Sequence, residues 1–126
     1  MSAYVDTNVV LFLIDPNSNR LTKRASQALE RHELLVSPMV ALELDYLYEA
    51  GRVLASSAII LGELYNTIDL RICSIPFDRI VKIAAKESWT RDPFDRLIVS
   101  NARANGEAPL ISSDSLIAAH YPNTIW

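Results

Sequence analysis

Short apolar runs alternate along the chain with longer segments of mixed polarity. The short runs are four to six residues long, as buried β-strands usually are, and they predict strands at residues 3–6, 34–37, 70–75, 109–112 and 123–126. The longer segments carry apolar residues at helical spacing, and they predict helices at residues 8–14, about 20–32, 38–50, 55–66, about 76–88 and 93–105. The helix at 38–50 has Ser37 as its cap, Pro38 at its first position and Gly51 as its stop.

Strands that alternate with helices are joined by right-handed crossovers, which make neighbouring strands parallel. The pattern therefore predicts an α/β fold, a three-layer α/β/α sandwich with a mostly parallel sheet of four to five strands. A chain of 126 residues can build one substantial core but not two, so we expect a single domain over residues 1–126.

Composition narrows the class of protein. Half of the residues are hydrophobic, and no apolar run approaches the ~20 residues that span a membrane. The first residues lack the basic region of a signal peptide, and the only cysteine, Cys73, lies in an apolar stretch. These features predict a cytoplasmic protein with a reduced, buried thiol and no membrane association. The net charge of −3 argues against a broad nucleic-acid-coating surface but leaves room for a small basic patch.

Two aspartates stand at the start of the helix predicted at 93–105. Asp92 is followed by Pro93 and reads as the helix N-cap, with proline at the first helical position. Asp95 then occupies the third position, at the edge of the apolar face formed with Ile98 and Ala102. A capping-box role is one explanation of Asp95. A carboxylate aimed at a core is otherwise unfavourable unless it is protonated, paired or bound to a metal.

Three further acids occupy comparable places. Asp6 and Asp114 directly follow predicted strands, at the carboxyl edge where sites form in parallel sheets. Glu43 interrupts the apolar stripe of its helix, whereas Asp45 and Glu49 fall on the opposite side and are expected to be solvated. Each acid also has a structural explanation: Asp6 and Asp114 could cap the helices that follow them, and Glu43 could reach solvent.

Carboxylates gathered at one place need raised pKa values, basic partners or a divalent cation. No lysine or arginine lies on the apolar faces beside Glu43 and Asp95. Two histidines and one cysteine make a zinc site unlikely, whereas oxygen ligands suit Mg²⁺ or Mn²⁺. The sequence therefore predicts a Mg²⁺ or Mn²⁺ site at the carboxyl edge of the sheet.

The stretches YVDTNVVL, SPMVALELDYL, RDPFDRLIVSNA and LISSDSLI resemble, in this order and spacing, the successive motifs of PIN-domain proteins. They are most similar to the toxin ribonucleases of VapBC-type toxin–antitoxin pairs, and the resemblance covers essentially the whole chain. The positions that match the family's acids are Asp6, Glu43, Asp95 and Asp114. The positions that match its supporting polar groups are Thr7 or Asn8, and Ser112. Ser112 stands where threonine is common, and the hydroxyl is kept.

The resemblance implies a metal-dependent endoribonuclease that acts as the toxin of a type II toxin–antitoxin pair. It further implies RNA as substrate, a toxin homodimer, and a small VapB-like antitoxin that occludes the site. Two rivals remain open at this point. One is a metal-dependent phosphotransfer or phosphatase domain, which also uses acids at strand ends, and the other is a non-catalytic PIN-like module for RNA binding or assembly.

Basic residues that could grip RNA fall into two groups. Arg91, Arg96 and Arg103 flank the helix of Asp95, and we expect Arg96 to contact phosphate because it adjoins Asp95. A second cluster is predicted on the helix at 20–32, and it consists of Arg20, Lys23, Arg24 and Arg31. The alternative for both groups is an ordinary solvated helix face.

Overall fold

The computed structural model describes residues 1–126 and contains one sheet of five parallel strands. The strands are β1 (Ser2–Val5), β2 (Glu33–Val36), β3 (Arg71–Ile72), β4 (Leu110–Ile111) and β5 (Thr124–Ile125). Their order across the sheet is β3-β2-β1-β4-β5, and every neighbouring pair is parallel. The α/β fold predicted from the hydrophobic pattern is confirmed.

Seven helices connect or flank the strands. They are α1 (Thr7–Ile14), α2 (Lys23–Arg31), α3 (Pro38–Glu49), α4 (Ser57–Ile68), α5 (Phe77–Ala84), α6 (Pro93–Ala104) and α7 (Ser115–His120). None of them has both the length and the apolar character needed to cross a bilayer. The predicted stop of α3 is also confirmed, because Gly51 has a φ of +72° and Arg52 N–H donates to the carbonyl oxygen of Leu47 at 2.8 Å.

The central strand β1 fixes both the core and the position of the site. Ala3, Tyr4 and Val5 have no exposed surface, because side chains on both faces of β1 pack against other elements. The strand order reverses between β1 and β4, since β2 and β3 lie on one side of β1 and β4 and β5 on the other. In a parallel sheet such a reversal opens a crevice beyond the carboxyl ends of the strands.

Several predicted boundaries are wrong, among them both ends of the helix expected at 55–66, which is α4 (Ser57–Ile68), and three others have a local reason. The strand expected at 70–75 contains only Arg71–Ile72, since it is an edge strand and the chain turns away towards Pro76. The helix expected at 76–88 ends at Ala84, and the residues after it form a loop. The helix expected from residue 20 begins at Lys23, because the Thr22 hydroxyl caps it by accepting from Ala25 N–H at 3.0 Å. Arg20 therefore precedes the helix and is not part of it.

Candidate acidic active site

Asp6 lies at the centre of the crevice, directly after β1, and is only 4% exposed. Its Oδ1 accepts from the backbone N–H of Thr7 at 2.8 Å, and its Oδ2 accepts from the Ser112 hydroxyl at 2.6 Å. Ser112 directly follows β4, so this hydrogen bond closes the crevice between the two strands. Asp6 is also the N-cap of α1, as the alternative explanation from the sequence proposed. The same side chain therefore caps the helix and lies in the crevice.

Thr7 links Asp6 to α3. Its buried hydroxyl donates to Glu43 Oε1 at 2.5 Å, which holds the half-buried Glu43 side chain over the end of β1. The Glu43 side chain therefore turns towards the crevice instead of running out to solvent. Of the two supporting residues suggested by the sequence, Thr7 makes this contact and Asn8 is exposed.

Asp114 reaches the crevice from β4. Its Oδ1 accepts from the N–H groups of Leu116 and Ile117 at 2.8 and 3.1 Å, so it caps α7 as the alternative explanation proposed. Its own N–H donates to the Ser112 hydroxyl at 3.1 Å, which ties Asp114 to the residue that holds Asp6. Only one carboxylate oxygen is used in capping, so the other stays available to a ligand.

The two aspartates at the start of α6 have different hydrogen-bonding partners. Asp92 is the N-cap, and its Oδ1 accepts from the N–H groups of Phe94 and Asp95 at 2.8 and 3.4 Å. The Asp95 side chain is half-buried, and no hydrogen bond to its carboxylate affects its protonation. The capping box considered for Asp95 does not form, and its carboxylate faces the other acids without a protein partner.

The pKa values of three acids rise because of burial and mutual repulsion. Burial raises the pKa of Asp6 and of Glu43, while hydrogen bonds from Ser112 and Thr7 act in the opposite direction. Burial also raises the pKa of Asp95 to about 7, helped by the negative charges of Asp92, Asp6, Asp114 and Glu43. The protein's ion pairs lie elsewhere, joining Arg71 to Asp69 and Arg103 to Glu87 and Glu107. No cation of the chain neutralises the four acids.

The donor set fits a hard divalent cation. The acids offer only oxygen atoms, they lie within electrostatic reach of one another, and they have no basic partner. No three of the histidine, cysteine and acidic side chains are close enough together to form a ready-made chelate. Mg²⁺ does not require one, since it keeps several of its waters and is usually held by one or two carboxylates.

The arginines of α6 make contacts that their spacing did not reveal. Arg96 Nε donates to the carbonyl oxygen of Thr90 at 2.7 Å, in the loop that leads to Asp92, so at least part of its guanidinium positions that loop. Phosphate contact by Arg96 stays a prediction. Arg103 pairs with buried Glu87, and Arg91 is exposed.

Two acidic residues have roles that the sequence analysis missed. The charge of Asp92, interpreted only as a cap, is the largest electrostatic influence on Asp95 and also acts on Asp6 and Glu43. A cap at the start of α6 necessarily lies at this edge of the sheet, and that was the available signal. Asp45 is not simply solvated, because it accepts from both the N–H and the hydroxyl of Ser57 at 2.8 and 2.9 Å and so begins α4.

The sequence matches the PIN domain model over residues 3–121, and the chain therefore belongs to the PIN domain family. The resemblance stated from its four motifs is confirmed at this level. No curated protein matches the sequence. PIN domains are generally nucleases, so membership supports hydrolysis of nucleic acids as the class of activity.

Solved structures of toxin–antitoxin complexes share the fold. A VapBC2 complex from Rickettsia felis, bound to a DNA fragment from its promoter, aligns with a TM-score of 0.66 at 16% identity, over 98% of this chain and 96% of that one. A toxin–antitoxin complex from Klebsiella pneumoniae aligns at 0.65 and 17%, over 98% and 96%. VapBC-1 from nontypeable Haemophilus influenzae aligns at 0.65 and 18%, over 98% and 92%. At these identities the likeness is one of fold.

Proposed function

We propose that this chain is a Mg²⁺- or Mn²⁺-dependent endoribonuclease and the toxin of a VapBC-type toxin–antitoxin pair. The observation that carries the proposal is the crevice at the end of β1, where four acids from distant parts of the sequence repel one another and no cation of the chain pairs with them. Those acids are Asp6, Glu43, Asp95 and Asp114. We assign them as metal ligands and catalytic residues, with Thr7 and Ser112 as supporting groups.

Each residue of the crevice has a defined task in this proposal. Ser112 and Thr7 N–H fix both oxygens of Asp6, so its carboxylate is oriented before any ligand arrives. Thr7 orients Glu43 in the same way. Asp95 has no partner of its own within the protein, so its carboxylate stays available to a cation or to a water bound to that cation.

A divalent cation held by these acids would stabilise the negative charge that develops on the phosphate and lower the pKa of water. It would also offset the repulsion between the acids and an incoming phosphodiester. The chain itself contributes the oriented carboxylates, of which Asp6 is buried and the other three are partly exposed.

The partners follow from the same proposal. The VapBC complexes with this fold suggest a small VapB-like antitoxin as partner, and we expect it to occlude the acidic crevice. A basic side chain of the antitoxin placed among the acids would replace the charge of the metal. We further propose that the whole chain forms one PIN domain and that two copies form the toxin dimer.

The direct experiment compares RNA cleavage by the wild type, Asp95→Asn and Asp78→Asn in buffers with MgCl₂ or EDTA. Asp78 is the matched control, because it lies in the first turn of α5 as Asp95 does in α6 but is exposed. Cleavage should require MgCl₂, survive Asp78→Asn, and fall roughly a hundredfold or more in Asp95→Asn. Cleavage in EDTA, or equal activity of both variants, would overturn the proposal.

The same proteins also decide against the rivals. A phosphatase would release inorganic phosphate from small phosphate esters faster than it cuts RNA. A non-catalytic module would bind RNA without cutting it in either buffer. Loss of cleavage on adding the antitoxin, with the melting transition kept, is expected if occlusion is the mode of inhibition.

A further inference from the structure

A second polar feature lies on the β5 side of the crevice and takes no part in the acidic site. It contains two arginines and two aromatic rings: Phe12 of α1, Arg20 before α2, Arg24 of α2, and Trp126 directly after β5. We call these four residues the β5-side patch. Phe12, Trp126 and the two arginines come from three distant parts of the sequence, and the fold brings them together.

The arginines of the β5-side patch are held by specific contacts. The Arg20 guanidinium lies over the Phe12 ring at 4.9 Å, within the range of a cation–π interaction. The Phe12 ring in turn packs at 5.9 Å against the ring of Trp126, and Arg24 Nη1 donates to the main-chain oxygen of Trp126 at 3.5 Å. Arg20 and Arg24 are both exposed. Two cationic groups are thus presented to solvent from defined positions.

Positive charge in this region is concentrated, and no side-chain ion pair neutralises it. Residues 20–31 carry four of the chain's 12 lysines and arginines and a single acid, Glu30, although the whole chain has a net charge of −3. None of the three ion pairs in the protein involves this segment. An ordinary solvated surface mixes both signs of charge, whereas this segment is mainly positive.

The patch lies at the same edge of the sheet as the acids. Trp126 follows β5 as Ser112 follows β4, and the two parallel strands are neighbours. Strands in a sheet are about 4.8 Å apart, so Trp126 lies roughly one strand spacing from the end of β4 and about two from Asp6. Thr22, which begins α2 between Arg20 and Arg24, is at this edge as well, because α2 ends beside the amino-terminal end of β2.

We propose that the β5-side patch binds the phosphate backbone of single-stranded RNA next to the bond that is cleaved. The inference rests on the proposed function, since it names how the substrate of that site is held. Phosphate contacts position a nucleic acid without reading its sequence, and an acidic crevice cannot supply them. Phe12 is a positioning residue in this account, because it holds the Arg20 guanidinium flat and exposed. A shallow groove of about 180 Å³, lined by Arg24, Gln27 and Arg31, continues the path away from the crevice.

The test measures RNA binding separately from cleavage. All variants carry Asp95→Asn so that the RNA stays intact, and the probe is a fluorescein-labelled oligouridylate of about twelve nucleotides, a common size for a single-strand site. Fluorescence anisotropy in MgCl₂ at several salt concentrations compares the parent with Arg20→Gln/Arg24→Gln. The matched control is Arg79→Gln/Lys82→Gln, which removes two exposed cations of α5 that form no ion pair.

The patch double variant should bind about tenfold more weakly, and the slope of log affinity against log salt should become shallower by roughly 1.4, the value for two lost phosphate contacts to a single strand. The control should stay within about twofold of the parent at moderate salt, where distant surface charges are screened. Phe12→Leu should weaken binding, and Phe12→Tyr should restore it, because tyrosine keeps the ring under Arg20.

Each outcome decides the inference independently of the proposed function. Weaker binding by the patch double variant alone supports it, even if the wild-type chain fails to cut RNA. Equal binding by the patch variant and the control overturns it, even if RNA cleavage by the wild type is confirmed, and so does an Asp95→Asn parent that does not bind the probe. If the patch variant keeps its RNA affinity but loses affinity for oligoglutamate, the surface docks an acidic protein segment and the inference is wrong.

Discussion

Two buried carboxylates in this protein are stabilised in opposite ways. Glu87, 6% exposed, accepts hydrogen bonds from Arg103 and from the Trp89 indole N–H. Arg103 also donates to Glu107 and to the carbonyl oxygen of His120, both at 3.2 Å. Asp6, 4% exposed, accepts only from the Ser112 hydroxyl and a backbone N–H. The Glu87 carboxylate has a cationic donor, Arg103, whereas the Asp6 carboxylate has only neutral donors.

The difference shows which carboxylate has its charge compensated within the fold and which does not. A buried charge is stabilised by a hydrogen-bonded partner of opposite sign, and the Glu87 network provides that partner within the fold. The crevice of Asp6 collects further acids instead, so its charge can be offset only by protons or by a cation from solution. The Glu87 network joins the loop before α6 to the last turn of that helix, and its role is structural.

The largest effect is expected when the crevice is given an internal cation. Glu43→Lys would place an ammonium group among Asp6 and Asp95 and make the crevice resemble the Glu87 network. RNA cleavage should be abolished, and the melting temperature in EDTA should hold or rise, because repulsion between the acids is relieved. Glu49→Lys, on the exposed side of the same helix, is the matched control and should keep its activity. An active Glu43→Lys protein would contradict the comparison.

Breaking the complete network should instead cost stability. Glu87→Gln leaves Arg103 without its buried charged partner, and we expect the free energy of unfolding to fall by about 1–3 kcal/mol. Asp6→Asn removes one of several like charges and should leave that free energy unchanged or raise it. Urea unfolding of both variants in EDTA measures the contrast, and an equal loss in the two would show that the carboxylates are stabilised alike.

The metal-free protein should lose stability as the pH rises. Burial, aided by the neighbouring acids, raises the pKa of Asp95 to about 7 in the folded chain, well above its ordinary value. The folded state therefore binds more protons than the unfolded state between about pH 4 and 7, and that stabilisation is present below pH 4 and lost as the pH rises through 7. The melting temperature in EDTA should fall across this window, and it should fall less in Asp95→Asn. A steeper fall in Asp95→Asn would assign the proton to another group.

The smallest effect separates the cap of α6 from its neighbour. Asp92→Ala removes the hydrogen bonds to Phe94 and Asp95 N–H and should lower the free energy of unfolding by about 0.5–2 kcal/mol. Asp92→Ser keeps a cap, so its loss should be much smaller, and cleavage by the folded protein should be nearly unchanged. Loss of cleavage in Asp92→Ser at full stability would show that Asp92 is needed for activity and is not only a helix cap.

The position of the acids could be predicted because it follows from connectivity. Asp6 and Asp114 come after strands, and parallel strands end at one edge, so their meeting needed no knowledge of side-chain packing. Glu43 and Asp95 were found from helical periodicity, since each interrupts an apolar face. Patterns of this kind are set by the backbone, which a sequence describes well.

Contacts between side chains from different elements could not be predicted. Nothing in the sequence shows that Thr7, and not Asn8, donates to Glu43, because this contact depends on where α3 crosses the end of β1. The destination of Arg103 was hidden in the same way, since its partner Glu87 lies in a loop that the periodicity placed in a helix. The β5-side patch has the same origin, because Phe12 and Trp126 meet only in the folded chain.

The central claim is that the acids of the crevice have no cationic partner in the chain and bind a cation from solution instead. Measuring the binding of a divalent cation tests this claim most directly. MnCl₂ is titrated calorimetrically into the wild type, Asp95→Asn and the exposed control Asp78→Asn, each first treated with EDTA and dialysed. The wild type and Asp78→Asn should bind Mn²⁺ at millimolar concentrations or below, and Asp95→Asn should bind it at least about tenfold more weakly. Absence of binding by the wild type at millimolar Mn²⁺, or identical binding by all three proteins, would contradict the claim.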